Sequence, residues 1–388
     1  MTERLDTEWL ARTGAREVLG LLGETAARVV GGAVRDQLLG RPIKDIDIAT
    51  QLLPEAVLAK AQQAGWKAVP TGLSHGTVTL VVNARPFEVT TLRRDVQTDG
   101  RHAKVAFTQE WRADAERRDF TMNALYLAAD GTVTDFFGGI ADARAGRVRF
   151  IGAAQQRIKE DALRILRFFR FHAHYGAGVP DRDGLAACRA AAERLDRLSA
   201  ERVREELLKL LAAVDPLPVL QAMHEAGILA RILPEAGLDG LRRLLTAEAR
   251  VGVAADPLRR LAALLPDAQA ADQRARALKL SNRQRDRLLV AIGPLDRPLS
   301  AALYRIGPEG VRDRLLLADA VDLEDALNEV AGWQRPRFPL TAQDLLARGV
   351  KPGPALGRCL AEAEEAWIAS RFSLDKQALL ARACRQAG

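Results

Sequence analysis

Cysteine is scarce in this chain of 388 residues. The three present, Cys188, Cys359 and Cys384, lie far apart and in no CxxC or zinc-ligand spacing. That excludes a disulfide-stapled scaffold and a zinc ribbon, and makes a reducing compartment, the cytoplasm, the expectation. No apolar run approaches the roughly 20 residues of a membrane span, and the polar start MTERLDTEWL does not read as a signal peptide. Histidine is also sparse. His75, His102, His172, His174 and His224 fall into no metal-ligand spacing, so neither a histidine metal centre nor a histidine general base is expected. Fixed-period repeats and low-complexity tracts are absent. An excess of one charge is nearly absent too: 57 Lys and Arg against 50 Asp and Glu leave +7, a weak hint of a polyanionic partner. What remains is an ordinary globular composition, 48% hydrophobic and 28% charged, which excludes disorder and collagen. At about 150 residues per domain, the length corresponds to two or three domains.

The pattern changes near residue 150. Before it, strand and helix signals mix. Arg28 to Val30 leads into Gly31-Gly32, and Ala33 to Leu39 reads as a short helix stopped at Gly40. Asp45 to Ala49 alternates polar and apolar with period two, a strand signal, and Thr77–Val82 and Phe87–Thr91 are two more strands around a turn at Asn83–Pro86. Arg93 to His102 is polar, carries Gly100 and reads as a mobile loop. After Ile151 alternation disappears, and Ala, Leu, Arg and Glu dominate helical stretches such as Arg157–His172, Glu201–Ala213 and Leu258–Leu265. Arg335 to Pro339 reads as a linker before a last pair of helices. The fold class expected is α+β: a small mixed sheet with flanking helices, then an all-helical remainder.

The chemistry concentrates in two places in the first part. Gly31-Gly32, between a strand and a helix, allows backbone N–H groups to approach a phosphate at the positive helix end, although such a pair alone is more often a plain turn. Asp45 and Asp47, at i and i+2 of a strand, project to one face, where like charges repel unless a cation neutralises them. Mg²⁺ suits that arrangement, because it takes few protein carboxylates and completes its shell with substrate phosphates. Glu88, between apolar Phe87 and Val89, adds a third acid on a neighbouring strand. Three carboxylates can hold two metals, one lowering the pKa of an attacking hydroxyl and one binding the leaving group, which is phosphoryl-transfer chemistry.

The run GGAVRDQLLGRPIKDIDIAT resembles the signature of the polymerase-β-type nucleotidyltransferase superfamily, in its bacterial CCA-adding enzyme and poly(A) polymerase branch. Arg117–Ala124 (RRDFTMNA) resembles that branch's ribose-reading motif, and Asp135–Gly139 (DFFGG) its hinge. Glu160–Arg164 (EDALR) resembles its base-reading motif, and Leu198–Arg202 (LSAER) the segment that braces it. The resemblance is dense from Val29 to Leu210 and thins beyond. It implies a catalytic head at 1–150, a helical neck at 151–215, a body at 216–335 and a tRNA-binding tail at 336–388. It also implies addition of C, C and A to the tRNA 3′ end from CTP and ATP, with poly(A) synthesis as the alternative. It assigns Asp45, Asp47 and Glu88 to catalysis with Mg²⁺. Gly31, Gly32, Arg35, Arg118, Asp119, Arg167 and Arg170 are assigned to the nucleotide, Arg35 as a triphosphate contact and Asp119 as the 2′-OH discriminator. The 93–101 loop resembles the flexible loop that helps switch the pocket from C to A. No His-Asp dipeptide occurs, so the phosphohydrolase module of some relatives is not expected.

The base-reading motif also has a residue-level reading. Asp161, Arg164, Arg167 and Arg170 recur every three residues, a ridge along one helix roughly 13.5 Å long. An acceptor beside a donor matches the pairing edges of cytosine and adenine and mismatches those of uracil and guanine, at about 1–3 kcal/mol per buried mismatch. Phe168, Phe169 and Phe171 are expected in the core, and His172 and His174 in structural roles. The tRNA surface gives a diffuse signal: arginines such as Arg242, Arg243, Arg259 and Arg260 are scattered along helices, and nothing indicates an oligomeric state.

Overall fold

A computed structural model describes residues 3–99, 102–296 and 298–385. The chain divides into two compact units, Met1–Pro234 and Glu235–Gly388. The first unit opens with α1 (Glu8–Thr13), α2 (Ala15–Leu22), β1 (Ala27–Val30), α3 (Gly32–Leu38), β2 (Asp47–Thr50) and α4 (Pro54–Gln63). Then come β3 (Lys67–Gly72), β4 (Thr77–Val82), β5 (Arg85–Thr91), β6 (Arg93–Asp99), β7 (His102–Phe107), α5 (Trp111–Glu116), β8 (Leu125–Leu127), β9 (Val133–Asp135) and α6 (Gly139–Arg144). The rest of the unit is helical: α7 (Ala154–Glu160), α8 (Leu163–Tyr175), α9 (Arg182–Ala190), α10 (Ala200–Leu211), α11 (Leu217–Glu225) and α12 (Leu229–Ile232).

Seven strands form one mixed sheet in the order β3-β4-β5-β2-β1-β8-β9. β2 and β5 are its parallel pair, and the other neighbours run antiparallel. The two faces follow from the period of two. Val29, Ile48, Leu80, Phe87 and Val89 turn to the face covered by α1, α2 and α4, where they meet Leu10, Leu19 and Val57 in the larger core. Phe87 is fully buried there, a contribution of about 1.5–3 kcal/mol for a side chain of its kind. Val30, Ala49 and Tyr126 turn to the opposite face, into a smaller core with Leu92, Ala115 and Ile151. Asp47 and Glu88 belong to this second face, because Asp47 is the register partner of both Val30 and Glu88.

Three expectations change. The segment after Arg93 is not a loop: β6 and β7 pair antiparallel from Arg93↔Phe107 to Asp99↔His102 as a separate two-stranded ribbon. A strand pair of this kind can form on backbone hydrogen bonds without an apolar alternation to announce it. Gly100 and Arg101, at the tip, lie outside the described residues. The turn at Asn83–Pro86 is shorter than expected, two residues with φ of 52° and 62° at Asn83 and Ala84, and Arg85 and Pro86 join β5. The Arg157–His172 helix is broken: α7 stops at Glu160, Asp161 is extended (φ −152°, ψ 111°), and α8 restarts at Leu163. Phe168, Phe169 and Phe171 are buried as expected.

The second unit contains α13 (Leu238–Arg250), α14 (Pro257–Leu264), α15 (Ala268–Ala277), α16 (Asn282–Ile292), α17 (Leu299–Leu317), α18 (Leu323–Gly332), α19 (Ala342–Leu346), α20 (Pro354–Ala369) and α21 (Lys376–Arg385). Arg259 and Arg260 are buried, clamped onto Glu248, with Asp313 shared between Arg259 and Arg287. They are internal ion pairs, not RNA-facing arginines. The segment at Arg335–Pro339 packs inward: Phe338 lies 5.3 Å from the Trp367 ring and Arg335 4.6 Å over Tyr304. Among the described residues no helix is long and apolar enough to cross a membrane.

Candidate active site

β2 begins at Asp47, two residues later than the alternation suggests, yet the alternation persists: Asp45 and Asp47 are exposed, and Ile46 and Ile48 are buried. Asp47 lies directly across from Glu88 on β5. Its carboxyl sits above the ordinary carboxylate range, first because the surrounding head desolvates it, then because Glu88 and Asp45 repel it, with Arg118 pulling the other way. A hard divalent cation beside Asp47 would offset that repulsion. Among the described residues no group of three His, Cys, Asp or Glu side chains is placed to hold a metal ion.

Gly31 adopts φ 76°, ψ −121° as the residue before α3, a conformation that favours glycine. Its N–H is already committed to Leu125 O at 3.0 Å. A Cβ there would stand 3.6 Å from Arg118 Nη1, so the turn also leaves room for that guanidinium; a Cβ on Gly32 would stand 3.6 Å from Arg35 Nη2.

Arg118 is oriented by a residue the sequence reading missed. Asp114 on α5 is 1% exposed. Its Oδ2 accepts from Arg118 Nη2 (3.1 Å) and Tyr126 OH (2.7 Å), and its Oδ1 from Arg117 Nε (2.8 Å) and Arg93 N (3.3 Å). Burial alone would raise its pKa; Arg118, then Arg117, and the hydrogen bonds from Tyr126 and Arg117 outweigh that and hold it at about 2. The signal available in the sequence was an acid three and four residues before two arginines.

Asp119 is the hub of a second network. Its Oδ1 accepts from Phe120 N (2.9 Å) and Asn123 Nδ2 (3.1 Å), and its Oδ2 from the Arg167 guanidinium, Nε at 2.7 Å. Burial again opposes ionisation, and Arg167 and these hydrogen bonds bring its pKa to about 2. Asn123 Oδ1 accepts from Arg35 Nη1 (2.6 Å), while Arg35 Nε donates to Asp36 (3.0 Å) and Nη2 to the Tyr175 hydroxyl (2.6 Å). Arg35 is 5% exposed and lies 3.8 Å over the Tyr175 ring, so its fork is engaged by protein groups and ties α3 to α8.

The bend at residue 161 separates the groups expected on one ridge. Asp161 precedes α8, and Arg164, Arg167 and Arg170 follow on it. Asp161 Oδ1 accepts from Leu163 N (3.0 Å) and Oδ2 from Arg202 Nη2 (2.6 Å), so the bracing segment on α10 does reach it. Arg164 Nη1 donates to Glu160 Oε2 (2.5 Å) and Arg157 O (2.8 Å), and Arg157 reaches back to Arg118 O (2.7 Å). Arg170 Nε donates to buried Glu206 (2.5 Å), and both Arg167 and Arg170 lie over the Phe171 ring. His172 and His174 bond the carbonyls of Gly178 and Lys209, which is a structural use. In the DFFGG segment, the Asp135 carboxylate accepts from the N–H groups of Phe137, Gly139 and Ile140.

The first unit is a mixed sheet with carboxylates near a glycine turn, followed by helices that carry arginines. Residues 27–149 match the family model described as the poly A polymerase head domain, and residues 180–237 the one described as a probable RNA and SrmB-binding site of polymerase A. The chain is 36% identical over 373 residues to the mitochondrial CCA tRNA nucleotidyltransferase 1 of Danio rerio, covering 91% of this chain and 86% of that one. It is 31% identical to the CCA-adding enzyme of Levilactobacillus brevis, over 95% and 96% of the two chains. The crystal structure of the Bacillus stearothermophilus CCA-adding enzyme in complex with CTP superposes with a TM-score of 0.79 at 29% identity, covering 96% of each chain. The chain belongs to the CCA-adding enzyme family. Nucleotidyltransferases of the polymerase type generally use a divalent metal.

Proposed function

We propose that this chain adds C, C and A stepwise to the 3′ end of tRNA from CTP and ATP, releasing diphosphate at each step. The observation that carries the reading is Asp47 aligned with Glu88 across β2 and β5, beside Asp45 and within the field of Arg118. The similarity over nearly the whole chain to CCA-adding enzymes supports CCA addition over poly(A) synthesis.

In this reading Asp45 and Asp47 hold the divalent ion, Mg²⁺. When bound, it neutralises the triphosphate and lowers the pKa of the attacking hydroxyl. The tRNA 3′ oxygen attacks the α-phosphorus, the bond to the bridging oxygen of the β-phosphate breaks, and a carboxylate oxygen of Glu88 takes the hydroxyl proton. Arg118, with Nη1 beside Gly31, offsets charge on the phosphates. Gly31 and Gly32 keep that approach free of side chains. Arg167, aimed by Asp119, and Arg170, aimed by Glu206, face the nucleotide from the neck, and Asp119 acts on the ribose through the edge it shares with Asn123. Arg35, with its guanidinium engaged by Asp36, Asn123 and Tyr175, supports the triphosphate pocket by bracing α3. Asp161 and Arg164, one at the bend and one on α8, present the acceptor and donor that pair with C or A. The division into head 1–150, neck 151–215, body 216–335 and tail 336–388, with the tail on the tRNA and the cytoplasm as compartment, completes the proposal.

The test is tRNA lacking its 3′ end, given CTP and ATP together and then singly. A defined CCA end is expected with both, and addition stopping after CC with CTP alone. Long A tails would refute CCA addition in favour of poly(A) synthesis.

A further inference from the structure

We propose that Asp114 is a positioning residue for nucleotidyl transfer: its buried carboxylate fixes the plane of Arg118 so that the remaining edge of the guanidinium faces the glycine turn. The inference rests on the reading of Arg118 as a nucleotide contact. A guanidinium on a flexible side chain presents its fork to a phosphate only if its other edges are restrained. Two of those edges are taken here. Arg118 Nε donates to the Tyr126 hydroxyl at 3.2 Å and Nη2 to Asp114 Oδ2 at 3.1 Å. Tyr126 OH donates in turn to that same Asp114 oxygen at 2.7 Å, closing a three-membered ring of side chains. The third edge, Nη1, is the one nearest Gly31.

Asp114 and Tyr126 are themselves almost inaccessible, at 1% and 0% exposed, so neither competes for solvent or substrate. The ring sits on the sheet face that carries Asp47, and Arg118 is the cation whose field reaches Asp47. Asp114→Asn removes the charge opposite Arg118 and leaves one acceptor oxygen where two now serve Arg118, Tyr126 and Arg117, so the half-buried guanidinium loses part of its restraint. The other Asp114 oxygen holds Arg117 and the backbone N–H of Arg93, where β6 begins, so the root of the ribbon is fixed by the same group.

A double-mutant cycle over Asp114→Asn and Arg118→Lys, with KM and kcat measured for CTP and ATP and KM for tRNA, tests this. Asp114→Asn is expected to raise both nucleotide KM values about tenfold, the effect of one charged hydrogen bond, and leave the tRNA KM in place. In the Arg118→Lys background the same change should add less than about twofold, because its route is already cut. The full tenfold in that background would overturn the inference and leave the Arg118 assignment standing. A fall in thermal midpoint with unchanged nucleotide KM values would overturn it as well, making the pair purely structural. Unchanged KM values in Arg118→Lys alone would overturn the Arg118 assignment and the inference together. Should Asp114→Asn fail to fold, Tyr126→Phe takes its place. It breaks the ring with the charge retained, and a smaller KM rise that vanishes with Arg118→Lys is expected. No rise would overturn the proposal.

Discussion

Asp119→Asn tests the tie between stability and the site most directly. The substitution keeps the shape of the side chain and removes its charge. The carboxylate accepts on both oxygens, from Phe120 N and Asn123 Nδ2 on one and from Arg167 on the other. An amide has one acceptor, so either orientation sets a donor against a donor. A charged hydrogen bond lost in a buried place costs about 1.5–3 kcal/mol. Proton linkage corresponds to a similar figure: a native pKa of about 2 against an ordinary 3.8 is worth about 2 kcal/mol. The first unit should therefore melt about 4–8 °C lower, at about 2–4 °C per kcal/mol for its size. The sign with pH is fixed. A depressed carboxylate contributes stability that is present above its unfolded pKa and lost as pH falls through the folded value. The gap between wild type and variant should be constant above about pH 4 and shrink towards pH 2. Urea unfolding at several pH values reads the gap, and incorporation of CTP against 2′-deoxy-CTP reads the site, where Arg167 loses its restraint and ribose preference should fall. A variant as stable as wild type at pH 7, or one with unchanged ribose preference, would refute the argument at its structural or functional step respectively.

Other outcomes follow from the same geometry. Asp47→Ala is expected to abolish transfer while tRNA binding, measured by filter retention, survives; retained activity would remove the metal assignment. Asp161→Ala and Arg164→Ala should each relax selection of C and A over U and G in competition assays, and unchanged selectivity in both would end the protein-template reading. Gly139→Ala should destabilise the head severely in thermal melts, because its Cβ would lie 2.1 Å from Thr121 O, backbone that has no room to retreat. Glu248→Gln leaves Arg259 and Arg260 buried against a neutral partner, so the second unit should lose about 3–5 kcal/mol in urea unfolding.

What the sequence determined by itself is the chemistry that depends on local spacing. The alternation of exposed Asp45 and Asp47 with buried Ile46 and Ile48 was legible, although β2 starts only at Asp47. Gly31 marks a turn because few other residues adopt its φ. The burial of Phe168 and Phe169 followed from the helical period. The tertiary structure alone decided which groups meet. Glu88 joins Asp47 through a parallel strand pairing forty-one positions apart in the chain, which no local pattern records. One bend placed Asp161 off the helix of Arg164, Arg167 and Arg170, because nothing in residues 157–172 advertises the extended backbone at 161. Arg35 and Arg118 look alike as basic residues near glycines. Burial against Tyr175 engages one fully, and Asp114 restrains the other with an edge towards the turn. Charge and period can be read along a chain; the partner that fixes a guanidinium's plane is set by contacts between segments distant in sequence, and only the packed fold brings those together.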